Sequence, residues 1–231
     1  MVAHDVINEG HDRSQLSPMS KKAKAALGTD KLTVLADSGY FSSAEILECG
    51  KAGITVALPK PLTSGNRLKK MFVKKDFRYV ADDDIYICPA SECLAYRFCN
   101  VEKGMTLRRY WTNACRTCAM KGRCTTGKER RITRWEHEYV VKAVERRLDE
   151  NPWMMHARQN SVEHPFGTIK SWMGYTHFQM RTPKKVATEM ALHVLAGLSG
   201  RAMVPHGSSN ALGRMAKRSR SGAVRCLAAI L

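Results

Sequence analysis

Asp37 in LTVLADSGYF and Glu163 in SVEHPFGTIKSWMG are the two carboxylates whose settings could do chemistry. Asp37 closes an apolar run that reads as a buried strand. Glu163 sits on a helical pattern, with Lys170 seven residues on. A carboxylate at a strand end and another on a late helix suit a two-metal phosphoryl-transfer site. There, two divalent ions about 4 Å apart activate a water or a 3′-hydroxyl and stabilise the leaving oxygen of a phosphodiester. Mg2+, or Mn2+ in its place, takes carboxylate oxygens. Such sites use three carboxylates, so the pair is incomplete. Taken singly, each residue has a plainer reading: a turn or helix cap before Gly39 for Asp37, a solvated helix face for Glu163.

Cysteine supplies the second candidate chemistry. The chain has 8 Cys, and all but Cys49 and Cys226 fall between Cys88 and Cys124. Cys115-x-x-Cys118 followed by Cys124, with Cys88 upstream, has the spacing of a tetrahedral Zn2+ site, since a C-x-x-C bend supplies two thiolates from one turn. Cys93 or Cys99 could substitute for one of these four. Free thiols in a basic segment are the plain alternative. A redox C-x-x-C would lack its usual strand–turn–helix setting. The segment 62–134 around them is rich in Arg, with Arg130 and Arg131 among them, and Tyr96, Phe98, Tyr110 and Trp111 interleave. Arg with aromatics suits phosphate contact and base stacking. A solvated basic surface over a small aromatic core would look the same.

The elements that must position these groups are legible in outline. MVAHDVI reads as a strand. A helix follows within DRSQLSPMSKKAKAALG, capped by Asp12 or Ser17 and stopped by Gly28. LTVLAD is a strand, 42–52 a helix and ITVALP a strand, which together make a βαβ unit and hence a parallel pair. Ligands in such sheets gather beyond the carboxyl ends of the strands, where Asp37 lies. FRYVADDDIYICP predicts a hairpin turning at Asp82, Asp83 and Asp84. Helical periodicity returns at Trp135, Tyr139, Ala143, Val144 and Leu148, and Asn151-Pro152 stops it. The next helix carries Val162, Phe166, Ile169 and Met173 on one stripe, with Glu163, Gly167, Lys170 and Gly174 beside it. Pro165 must then lie near its first turn or kink it. A last helix opens at Thr182-Pro183 and is expected to bury Val186, Met190, Val194, Ala187, Ala191 and Leu195. The expected organisation is a catalytic first part over 1–61, a basic Cys-rich insert over 62–134, C-terminal helices over 135–203 and a loosely ordered basic tail over 204–231.

The charge balance narrows the partner. Lys+Arg is 38 against 21 Asp+Glu, a net charge of +17, which calls for a polyanion and most simply nucleic acid. No run of 18 apolar residues and no signal peptide is present, which argues against membrane spanning or secretion. The thiols are then expected in a reducing compartment.

ADSGYF, VEHPFGTIKSWMG and HVLAGLSGR resemble the DDE transposases of bacterial insertion sequences. CPASECL, YWTNACRTCAMKGRCT and RRITRWEHE resemble the branch with a Cys-rich insert before the catalytic Glu. The resemblance runs from about Val2 to Met203. It implies an α/β, RNase H-like mixed sheet with flanking helices, incomplete at the N-terminus and interrupted by the small insert. It also implies Mg2+-dependent DNA strand cleavage and joining. Asp37 takes the second acidic place and Glu163 the third. Lys170 takes the place of a basic residue that contacts phosphate at the transposon end. Tyr40 matches a position often aromatic, where core packing is the alternative. Many relatives carry Arg four residues before the Glu. Here that place is Gln159, with Arg158 beside it as the candidate substitute, about 100° round an α-helix. Gly197-Leu198 stands where a Tyr-Asn pair is frequent.

The first Asp of the family belongs to a strand before MVAHDVI, and Asp5 and Asp12 are the nearby candidates for its role. The expectation is therefore the C-terminal part of a transposase, through a truncated gene or a misplaced start, inactive alone. Transposon ends and target DNA are the expected partners, with a homo-oligomer and no membrane, in the bacterial cytoplasm at the nucleoid. The alternative is a truncated, non-catalytic DNA-binding regulator of transposition. A third reading is a metal-dependent nuclease that never joins strands.

Overall fold

LTVL and ITVA are short, β-branched and bounded by Gly or Pro, and they pair as parallel strands. In the computed structural model these are β2 (Leu32–Leu35) and β3 (Ile54–Ala57), in register Leu32↔Ile54 through Leu35↔Ala57. The structure describes residues 3–163, 179–203 and 225–229, with side chains described over 3–161 and 179–196. The chain divides into one unit built from residues 1–61 and 140–231 and a second over 62–139. The described chain is mixed α/β.

In the first unit, β1 (Ala3–Ile7) precedes α1 (Leu16–Leu27), and α2 (Ser43–Lys51) crosses from β2 to β3. Gly28 ends α1 in the left-handed conformation, φ 61°, which only a residue without Cβ adopts freely. The start of α1 differs from the expected caps. Gln15 is its N-cap and makes no side-chain cap bond. The Ser17 N–H donates instead to Glu45 of α2 at 2.8 Å. A carboxylate from a neighbouring helix thus satisfies an orphan amide, and local sequence holds no signal for it.

Leu16, Ala23, Leu32, Ala36, Ile46, Cys49, Ile54, Val56, Leu58 and Val144 form one core. Val144 comes from α5 (Glu138–Glu150). Arg147 on the same helix donates to the Val56 carbonyl, so α5 is fixed to β3 by packing and by a charged hydrogen bond. Asn151 and Pro152 interrupt the helix as expected, and α6 (Trp153–Arg158) follows, packing on β2. The long helix Pro183–Met203 buries Val186, Met190 and Val194. Leu195, expected inside, is exposed. Residues 225–229, expected in a loose tail, form a strand antiparallel to β1. Their run RCLAA holds neither Gly nor Pro.

The second unit opens with the short helix α3 (Gly65–Leu68) and contains a five-stranded antiparallel meander. Its strands are β4 (Arg78–Val80), β5 (Ile85–Ile87), β6 (Cys93–Glu102), β7 (Met105–Trp111) and β8 (Ile132–Trp135). The Asp82–Asp84 turn joins β4 to β5, as the sequence predicts. Lys103 and Gly104, with φ 51° and 75°, make the tight turn between β6 and β7. Phe77, Tyr86, Leu94, Tyr110 and Ile132 form the core. Trp135, expected on a helix, lies on β8. The helix starts only at Glu138, whose carboxylate accepts from the Trp135 N–H at 3.1 Å and pairs with Lys74 at 2.5 Å.

Among the described residues no helix is long and apolar enough to cross a membrane.

Candidate active site

Asp37 lies two residues beyond β2, at the carboxyl end of a parallel strand. It caps a 3-10 turn, Ser38–Tyr40: Oδ1 accepts from the Gly39 N–H at 2.7 Å. A Cβ on residue 39 would stand 2.9 Å from that oxygen, closer than real Cβ contacts come. Glycine leaves the carboxylate undisturbed here, whereas any Cβ would make the Asp37 side chain shift. The carboxylate is 45% exposed, so its remaining lone pairs face solvent.

Oδ2 of Asp37 meets Arg158, whose guanidinium nitrogen stands 3.3 Å away. Arg158 ends α6, and its side chain is 19% exposed. α6 thus carries a largely covered cation onto a strand-end carboxylate. Directly after it, Gln159–Glu163 form a π turn. Hydrogen bonds in such a turn run from i to i+5, and these turns concentrate at functional sites. The wide turn stacks backbone position 163 over position 158, where a continuous α-helix would stack it over 159. Sequence periodicity assumed an unbroken α-helix and missed this. The available signal in the sequence was Pro165, since a residue without an N–H argues against an unbroken α-helix.

The other expected residues fall as follows. Tyr40 is half-buried and packs against the main core and against Ala3 and Met19. Asp5 pairs with Lys22 at 3.3 Å and accepts from the Val6 N–H. The Asp12 carbonyl accepts from the Gln15 N–H. The Glu163 side chain and Lys170 lie outside the described residues. Among the described residues, no three His, Cys, Asp or Glu side chains are already gathered for a metal ion. Asp37 alone suits a hard divalent cation there: an oxygen donor, half-exposed, at a strand end. The described residues do not make a complete two-metal set.

In the second unit, Cys88, Cys115, Cys118 and Cys124 are half-buried and line one cavity, whereas Cys93 and Cys99 are exposed on β6. Burial pushes the Cys124 thiol up, Arg130 opposes this, and the other three thiols add to it. Arg130 donates to the Phe72 carbonyl at 3.3 Å and lies 5.4 Å from the Phe77 ring. Arg131 is exposed, 5.0 Å from the Trp111 ring, and is forked to Glu129. Arg97 lies 5.6 Å from the same Trp111 ring. Asp84, from the turn, accepts from Tyr79 and Tyr110 at 2.7 Å each and from Arg108 at 2.8 Å. Burial would raise its carboxyl, but the hydroxyls of Tyr110 and Tyr79 and the charge of Arg108 outweigh this and hold it below the ordinary value.

No curated protein and no solved structure matches the chain. Residues 87–197 match the family model described as a transposase DDE domain. That stretch contains the four clustered cysteines, Arg158, Glu163 and Lys170, and Asp37 lies before it. Over that segment the chain is similar to the DDE transposases.

Proposed function

We propose that this chain serves DNA transposition by divalent-metal-dependent cleavage and joining of DNA strands, on an RNase H-like framework with Asp37 and Glu163 as two of the acidic ligands. The observation that carries this reading is the Asp37–Arg158 pair. It joins the end of β2 to the helix that leads into Glu163. An RNase H-like framework needs its strand-end carboxylate and its late-helix carboxylate to converge in this way.

Mg2+ or Mn2+, when bound, supplies Lewis acidity at the scissile phosphate. The chain's own residues supply position and charge. Asp37 is held by the Gly39 N–H in an orientation that leaves Oδ2 to a cation. Arg158 is that cation in the structure described. With a metal ion or a phosphate present, its planar fork can turn to a phosphate oxygen. Lys170 would act on a transposon-end phosphate as a point charge. Arg131, exposed against Trp111, is the better placed of the two insert arginines for DNA. Arg130 is built into the insert interior.

The test is nicking of supercoiled plasmid by the full chain in Mn2+, compared with Asp37→Asn and Glu163→Gln. Nicking that needs both carboxylates supports the reading. Plasmid binding that survives in all three proteins without any nicking overturns it in favour of a non-catalytic regulator. Cleaved ends without joined products favour a nuclease.

A further inference from the structure

The second unit has little to hold its longest connection. Five buried residues, Phe77, Tyr86, Leu94, Tyr110 and Ile132, make the core of residues 62–139. Between β7 and β8 the chain runs from Thr112 to Arg131 with only a 3-10 turn (Asn113–Arg116) and one helical turn, α4 (Lys121–Cys124). Two hydrogen bonds tie it back: Phe72 N–H to the Arg123 carbonyl at 2.8 Å, and Arg130 to the Phe72 carbonyl at 3.3 Å. Units of this size commonly need a disulfide or a metal to be stable.

The same connection delivers three thiols to one place. Cys115 lies in the 3-10 turn, the Cys118 carbonyl accepts from the Lys121 N–H at 3.1 Å where α4 begins, and Cys124 ends α4. The fourth thiol comes from the sheet. Cys88 follows β5 and opens a tight turn, the Ser91 N–H donating to its carbonyl at 2.9 Å. All four line a cavity of about 20 Å³, the scale of one small occupant. One further polar side chain aimed there is unusual. Arg130 lines the cavity, and its Nε is buried with no hydrogen-bond partner. A buried N–H is costly to leave unpaired.

We propose that Cys88, Cys115, Cys118 and Cys124 form a structural Zn2+ site, with Arg130 as the cation beside it. Four thiolates around Zn2+ leave two net negative charges. Arg130 offsets one of these and donates its Nε–H to a sulfur. Each thiol gives its proton to solvent on ligation. The thiols stand around the cavity without being gathered at a point, so binding draws the connection onto β5 and couples metal affinity to folding of this unit. The surface charge of the insert has no part in this.

The test uses the full chain purified without chelator. Zinc is measured by plasma mass spectrometry, and Co2+ is substituted for optical spectroscopy. The expected result is about one zinc per chain and the visible d–d and thiolate charge-transfer bands of tetrahedral Co2+. Cys93→Ser and Cys99→Ser should keep both. Cys118→Ser and Cys124→Ser should lose them. Arg130→Ala should keep the Co2+ spectrum and bind about 10- to 100-fold more weakly, as loss of a supporting group around a metal does. Absence of zinc and of the Co2+ bands in the parent chain would overturn the proposal. So would a Cys115–Cys118 disulfide in protein handled under reducing conditions, or loss of metal in Cys93→Ser.

Discussion

A guanidinium nitrogen of Arg158 lies 3.3 Å from Oδ2 of Asp37, across 121 residues of sequence. The pair is half-open to solvent, so it is worth little to stability, on the order of 1 kcal/mol or less. Its meaning is positional: it registers α6, and with it the π turn ending at Glu163, on the end of β2. Arg158→Ala should therefore move the urea midpoint only slightly. It should weaken binding of a labelled DNA duplex, and Arg158→Lys should restore charge but not the fork. A large loss of stability on Arg158→Ala would contradict this division.

Gly39→Ala should disturb the site without unfolding it. The added Cβ would press on Asp37 Oδ1 from 2.9 Å, and the carboxylate must swing off the Gly39 N–H. The lost cap costs about 0.5–2 kcal/mol. A thermal melt gives the stability change, and Mn2+ titration should show weakened binding. Unchanged Mn2+ affinity would mean that the Asp37 orientation is immaterial.

Within the insert, Arg130 and Arg131 should separate. Arg131→Ala should lower duplex affinity and reduce the log–log salt slope by about 1, as loss of one phosphate contact does. Arg130→Ala should leave the salt slope unchanged and lower the stability of the insert. The reverse pattern would show that the exposed arginine over Trp111 is not the one that meets DNA.

The insert should be lost at both ends of the pH scale. The Asp84 carboxyl is held low in the folded chain, so its contribution is present above the ordinary carboxylate range and disappears as pH falls through the folded value. Tyr86 is buried, and burial pushes its hydroxyl up to about 12. A raised value favours the neutral form in the folded state. That stability is intact below about pH 10 and is lost as pH rises towards 12, on the order of 2 kcal/mol. Tyr86→Phe should flatten the alkaline limb and Asp84→Asn the acid limb, read by circular dichroism across pH.

The βαβ unit around Asp37 was legible because β-branched runs, Gly stops and Pro stops agree there at every level. The cap of α1 was not, since Glu45 reaches it from another helix. The strands β6 and β7 were also hidden. Their outward positions carry Arg, Tyr and Phe in place of a clean apolar alternation, and those side chains stack on one another, as Arg108 does on Tyr96. The Asp37–Arg158 relation escaped sequence reasoning for a different reason. Helical spacing presumes 3.6 residues per turn, and the π turn at Gln159–Glu163 breaks that count.

Mn2+ binding to the full chain, followed by electron paramagnetic resonance, tests the central claim most directly. If Asp37 is a metal ligand held against Arg158, Asp37→Asn should lower Mn2+ affinity by about tenfold or more, one ligand's worth of roughly 1.4 kcal/mol. Arg158→Ala should raise it by up to about fivefold, the worth of a ~1 kcal/mol ion pair released. Equal Mn2+ affinity in the parent chain and Asp37→Asn would contradict the account.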